Sequence, residues 1–197
     1  MGEQKFRSVI FLGAPGSGKG TITNMIAIAG HHVHLSSGDV FRGLDPDSER
    51  SKLCNSYTNR GELVPDAITI DIWHQYVEGL IATNRYTPTK QLLLLDGIPR
   101  TVEQGKILDA HIEVVAVLHI EIKEQQTLIR RLQKRAMIER RQDDAEEKIL
   151  LRRLEVYARD TQALLEYYPS SLQLHINGEQ KPTDVLKDAL SALSYCL

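Results

Sequence analysis

The stretch GAPGSGKGT at 13–21 constrains this chain more than any other. A Gly-x-x-x-x-Gly-Lys run can wrap a phosphate when a buried strand delivers the chain to it and a helix carries the chain away. The loop's N–H groups and the helix N-terminus then face one anion. Both neighbours are legible here. RSVIFLG (7–13) is an apolar, partly β-branched run that stops at glycine, and KGTITNMIAIAG (19–30) has helical spacing and a glycine end. Gly16, Ser17, Gly18, Lys19, Gly20 and Thr21 therefore form a candidate cradle, with Lys19 as a point charge on the terminal phosphates. The usual pattern places Ser or Thr directly after the lysine, where its hydroxyl touches a metal ion. Here Gly20 follows, and Thr21 comes one place late.

Four more short runs read as strands: VHL (33–35), QLLLLD (91–96), EVVAVLHIEI (113–122) and LQLHI (172–176). Unbroken apolar strands alternating with helical sequence predict an α/β fold, a parallel sheet covered by helices on both faces. Long helices are expected at about 66–83, 124–138, 143–167 and 183–194. Two stretches fit the alternation poorly. Residues 36–65 are polar and helical without a strand, and 136–144 are short and heavily charged, so both read as insertions at the sheet edge. No repeat or linker divides residues 1–197, which suit one domain with a substantial core.

Charge and cysteines narrow the classes further. With 24 basic and 26 acidic residues, the net charge of -2 lacks the general positive field of a nucleic-acid binder. Glu121, Glu124, Glu139, Asp143, Asp144, Glu146 and Glu147 surround the basic run RRLQKR (130–135), which argues against a nucleic-acid patch. Cys54 and Cys196 have no metal or disulfide spacing, which points to a reducing compartment, and no run approaches the ~20 apolar residues of a membrane span. The expectation is a cytoplasmic protein with no membrane or nucleic-acid partner. His32 and His34 would share one strand face, yet without supporting carboxylate or cysteine they read as a surface strand entry.

Two further features carry chemistry. Asp96 follows four leucines, which places a carboxylate at the carboxyl end of a buried strand, where parallel sheets keep their sites. Arg42, Arg100, Arg135, Arg141 and Arg152 supply planar forks that hold phosphate oxygens in pairs. Arg141 and Arg152, eleven residues apart, would project from nearly one helix face if one helix spans both.

In order and spacing, GAPGSGKGT (13–21), LSSGDVFR (35–42), GELVPD (61–66), DGIPRT (96–101) and RLQKRAMIERRQDD (131–144) resemble the adenylate kinases, and RRLEVY…T…YY (152–168) continues the match. Gly-Lys-Gly-Thr is that family's form of the loop. The resemblance implies a five-stranded parallel sheet of the P-loop NTPase type, with a mobile monophosphate-binding segment at 36–65 and a short lid at 136–144. It implies reversible transfer of the γ-phosphoryl group of ATP to AMP with Mg2+, by a monomer whose partners are these small molecules. Lys19, the loop amides and Arg135 would hold ATP. Ser37, Arg42, Arg100, Gln104 and backbone near Val64 would hold AMP, and Arg141 and Arg152 would bridge the two, with Arg153 as an uninvolved neighbour. Lys19, Arg100, Arg135, Arg141 and Arg152 thus form the expected catalytic set. Asp96 would hold Mg2+ through water, and the Ile98–Pro99 bond would be cis.

The chain departs from the family in places. Its lid is too short, and lacks the cysteines, for the structural zinc of longer relatives. Arg140 stands where many relatives have glycine, and DSERSK (47–52) lacks a glycine often found there. A UMP/CMP kinase shares nearly every motif. Ser37 and Thr101 favour AMP, since the pyrimidine relatives tend to carry Ala and often Asn at these places. A regulatory GTP switch would need an Asn-Lys-x-Asp motif, which is absent. A plain ATP hydrolase would have no need of an acceptor pocket.

Overall fold

The five apolar runs become strands β1 (Phe6–Leu12), β2 (Val33–Ser36), β3 (Leu93–Asp96), β4 (Ile112–Glu121) and β5 (Gln173–Asn177) in the computed structural model, which describes residues 5–139 and 146–197. They form one parallel sheet in the order β2-β3-β1-β4-β5. Parallel neighbours need long crossovers, and helices supply them. α1 (Lys19–Gly30) joins β1 to β2; α2 (Ser37–Arg42), α3 (Glu49–Thr58) and α4 (Asp66–Ala82) lie between β2 and β3. α5 (Val102–Leu108) precedes β4, α6 (Gln125–Glu139) and α7 (Glu147–Val156) follow it, and α8 (Leu164–Tyr167) leads towards β5. α9 (Pro182–Leu193) comes last, opening on proline at its first position.

Strand residues alternate between two cores. Ile10, Leu12, Leu35, Leu93 and Leu95 pack on one side with Trp73, Val77 and Leu108. Val9, Phe11, Leu94, Leu118 and Ile120 pack on the other with Ile22, Ile26, Val185 and Ala189. Both faces are covered, so both phases of each central strand are apolar and QLLLLD runs unbroken. Among the described residues no helix is long and apolar enough to cross a membrane.

Two differences from the sequence expectation sit near the site. The helix expected over 143–167 is α7, a π-helical turn at Tyr157–Thr161 and then α8, while its expected first residues, 143–145, lie outside the described ones. The short α5 was not expected; the Thr101 hydroxyl starts it by accepting from the Gln104 N–H at 3.0 Å.

The chain runs from β1 to one side of the sheet, through β2 and β3, and only then to the other side with β4 and β5. That reversal opens a crevice at the strands' carboxyl ends. The register Phe11↔Asp96 sets Asp96 beside the entry to the glycine loop.

Candidate active site

Two cavities open at this edge. The first, about 540 Å³, is lined by Ser37, Arg42, Val64, Arg100, Gln104 and Arg153 among others. The second, about 780 Å³, is lined by Gly16, Ser17, Gly18, Gly20, Thr21 and Arg131 among others. Both are also lined by Lys19, Ser36, Asp96 and Arg135, so the two compartments meet at one wall of two cations and a carboxylate.

The loop's backbone makes the second compartment. Gly18 caps α1 at φ 93°, the left-handed conformation that glycine adopts without steric cost, and a Cβ there would meet nothing within 4 Å. Gly20 is glycine for a different reason. A Cβ would stand 2.9 Å from the Asp96 carboxylate, so Asp96 occupies the room that the common Ser or Thr would use. Thr21 lines the cavity one residue later. Arg131, which the sequence reading passed over, ties the compartment together by donating to the carbonyls of Ser17 at 3.3 Å and Gly178 at 3.0 Å.

Hydrogen bonds between elements order the first compartment. The buried Ser37 hydroxyl donates to the Gly97 carbonyl at 2.7 Å and accepts from Arg100 Nη2 at 3.3 Å, while Arg100 Nε donates to the same carbonyl at 2.8 Å. The fully buried Gln104 accepts from the Arg100 N–H at 2.7 Å and donates to Asp66 at 2.8 Å, which joins α5 to α4. The Val64 carbonyl accepts from the Thr69 hydroxyl at 3.2 Å. Arg42 is paired with Asp39 on its own helix. Thr161, in the π-helical turn, donates to the Arg100 carbonyl at 2.8 Å. The Ile98–Pro99 bond is cis.

Arg153, rather than Arg152, lines this cavity. Arg152 is 40 % exposed, 3.3 Å from Glu155 and 4.0 Å from Glu62. The helix phase agrees. Leu150, Leu154 and Val156 are the buried residues of α7; Arg153 lies within about 100° of all three, whereas Arg152 lies about 160° from both leucines and close only to Val156. Counting outward from those leucines would have found this in the sequence; counting eleven residues from Arg141 did not. Arg141 itself, like Arg140, lies outside the described residues.

The shared wall is electrostatically tense. Burial lowers the pKa of Lys19 from 10.5 to about 8; Asp96 opposes the shift, and Arg100, Arg135 and Arg153 add to it. Burial alone would push the Asp96 carboxyl up, but His34, whose Nε2 is 3.7 Å away, and the charge of Lys19 hold it below its ordinary value. Asp96 Oδ1 is buried and makes no hydrogen bond with any described group. An ionised carboxylate with an unmet buried oxygen beside a phosphate cradle fits a hard divalent cation such as Mg2+.

A phosphate cradle at a sheet's switch point, opening into a second arginine-lined compartment across a shared lysine, defines a P-loop enzyme that handles phosphate groups. The adenylate kinase family model matches residues 11–173. A Synechococcus adenylate kinase (strain JA-2-3B'a(2-13)) is 32% identical over 193 residues, 94% of each chain. The adenylate kinase of Flavobacterium psychrophilum is 32% identical over 178 residues, covering 87% of this chain and 90% of that one. That of Parabacteroides distasonis is 35% identical over 167 residues, covering 82% and 83%. The chain belongs to the adenylate kinase family.

Proposed function

We propose that the enzyme reversibly transfers the γ-phosphoryl group of ATP to AMP, giving two ADP. The observation that carries this reading is the pair of cavities meeting at Lys19, Ser36, Asp96 and Arg135. A hydrolase needs one nucleotide compartment; a nucleotide-to-nucleotide transfer needs two that meet where the phosphoryl group crosses.

ATP takes the glycine-loop compartment, its phosphates on the amides of 16–21, Lys19 and Arg135. AMP takes the other, near Ser37, Arg42, Val64, Arg100 and Gln104. An oxygen of the AMP phosphate attacks the γ-phosphorus, a bond forms there, and the bond from that phosphorus to the β-bridging oxygen breaks. The attacking oxygen is already anionic, so no general base is required. What the transition state needs is positive charge around its equatorial oxygens. Lys19, Arg100 and Arg135 supply it, with Arg153 taking the place expected for Arg152, because Arg153 lines the cavity. By the family resemblance Arg141 belongs to the same set.

Asp96 would hold Mg2+, which when bound neutralises charge on the ATP phosphates. Residues 36–65 serve as the monophosphate segment and 136–144 as a short lid; their closure would exclude water, the competing acceptor. One chain lines both compartments, which lets a monomer do the work. Cys54 and Cys196 are unpaired, which suits the reducing cytoplasm.

The test is one coupled assay of ATP and Mg2+ with AMP, CMP, UMP, GMP or no acceptor. ADP should form far faster with AMP than under any other condition. Comparable ADP release without an acceptor would sink the kinase reading, and a preference for CMP or UMP would make it a pyrimidine-nucleotide kinase.

A further inference from the structure

Away from both cavities, parallel strands β4 and β5 place His119 and His175 directly opposite each other, with Glu121 two residues along β4 on the same face. One nitrogen of each histidine and a carboxylate oxygen of Glu121 all lie within 4.8 Å of one another. Glu121 Oε1 is 2.8 Å from His175 Nδ1 and 3.3 Å from His119 Nδ1. Two imidazole nitrogens and a carboxylate oxygen at Zn2+ bond lengths of about 2.0–2.2 Å are about 3.3 Å apart in a tetrahedral arrangement. One observed separation, 3.3 Å, matches that value, and the other, 2.8 Å, is shorter by about 0.5 Å.

A hydrogen bond between His175 and Glu121 accounts for the 2.8 Å separation, but it leaves the Nδ1 of His119 unexplained. His119, 12 % exposed, has its Nε2 3.2 Å from the Tyr157 hydroxyl, while its buried Nδ1 lies 3.3 Å from Glu121 Oε1 without meeting hydrogen-bond geometry. Leaving such an atom unpaired is costly. With the proton on Nε2, donated to Tyr157, the Nδ1 lone pair of His119 is free to face Glu121 and His175. That is the arrangement of a metal-ligating histidine whose other nitrogen is held by a partner outside the coordination sphere.

We infer that His119 Nδ1, Glu121 and His175 Nδ1 form a binding site for a divalent transition-metal ion of the zinc class. The two imidazoles select Zn2+, Co2+ or Ni2+ over Mg2+ and Ca2+, which prefer all-oxygen sites. His175 is 51 % exposed and Glu121 42 %, so an ion enters from solvent, and water completes its coordination. Tyr157, which holds His119 and lines the first cavity from the π-helical turn, connects the site to that cavity.

The experiment is calorimetric titration of the nucleotide-free enzyme with Zn2+ in millimolar Mg2+, together with the visible absorption of the Co2+ form. Wild type should bind one equivalent and give the intense d–d bands of a tetrahedral site. His175→Ala and Glu121→Gln, both at exposed positions, should bind more than tenfold more weakly and lose those bands, yet retain wild-type kinase rates in metal-chelated buffer resupplied with Mg2+. Tyr157→Phe should weaken binding by about tenfold through the lost outer hydrogen bond. His111 lies beside His74, ring centroids 5.0 Å apart, and is the control. Unchanged affinity in His175→Ala, no stoichiometric binding by wild type, or loss of binding in His111→Ala instead would each overturn the assignment.

Discussion

Lys19 is the residue through which pH should act on the enzyme. Its ligand-free pKa of about 8 lies below the ordinary 10.5 because burial disfavours the charge. Between those values the unfolded chain holds a proton that the folded chain has released. This group's contribution to stability therefore rises with pH across that window, and the cost of burying its charge is fully felt below about pH 8. Nucleotide binding has the opposite dependence. Phosphates favour the protonated lysine, so above pH 8 ATP must draw a proton onto the enzyme, and its Kd should be about tenfold higher at pH 9 than at pH 7. Calorimetry across that range checks this; Lys19→Met should bind ATP weakly with no such slope, and a wild-type Kd flat to pH 9.5 would place the titration elsewhere. Ser37 makes a second prediction at this scale. Its hydroxyl is already shared between the Gly97 carbonyl and Arg100, so Ser37→Ala removes one hydrogen bond to AMP at most and loosens the arginine. Preference for AMP over CMP in kcat/KM should fall by about tenfold or less.

At the scale of elements, α7 decides which of two adjacent arginines reaches the phosphates. Arg153→Ala should lower kcat by about a thousandfold, the low end of what a transition-state arginine contributes. Arg152→Ala loses only exposed contacts with Glu62 and Glu155, worth at most about 1 kcal/mol, and should leave kcat within about threefold. Steady-state rates of the two variants measure this, and a deep loss at Arg152 with none at Arg153 would restore the assignment drawn from spacing alone. The contrast shows what the sequence carried. All five strands were legible; β1 and β3 most of all, because a strand buried on both faces is apolar through its core and VIFL or LLLL has no other comfortable place, whereas the edge strands β2 and β5 carry polar positions as well. The glycine loop was legible because its neighbours matched its needs. The π-helical turn was not: Tyr157–Thr161 keep helical spacing, and only the Thr161 hydroxyl bound to the Arg100 carbonyl shows that the turn braces the site. Nor was α5, since seven residues with two buried polar or small positions, Gln104 and Gly105, carry too weak a periodicity. The arginines are a different case: spacing counted from Arg141 favours Arg152, whereas the phase of α7, the helix that holds both side chains, turns Arg153 to the cavity.

For the whole molecule, the consequential feature is that two compartments share a wall instead of being one pocket. Four residues, Lys19, Ser36, Asp96 and Arg135, border both, while the remaining lining differs completely. Each compartment should therefore fill without evicting the occupant of the other. A ligand that binds only the folded state stabilises it by RT ln(1 + [L]/Kd), about 2.7 kcal/mol when its concentration is one hundred times Kd. For a chain of this size 1 kcal/mol moves Tm by about 2–4 °C. AMP alone, or an ATP analogue that cannot be cleaved between its β and γ phosphates, should then each raise Tm by roughly 5–10 °C at that excess. Together they should give nearly the sum, because their sites are distinct. Repulsion between the two sets of phosphates would reduce it, but the cations of the shared wall and Mg2+ on Asp96 oppose that term. Two nucleotides competing for one pocket would instead give a combined shift barely above the larger single one, since RT ln(1 + [L]/Kd) grows by only about 0.4 kcal/mol when the effective concentration doubles. Thermal unfolding with each ligand and with both separates these outcomes. Lys19→Met supplies the internal check: a lysine that both compartments border should, when lost, reduce the shift from the ATP analogue and from AMP alike.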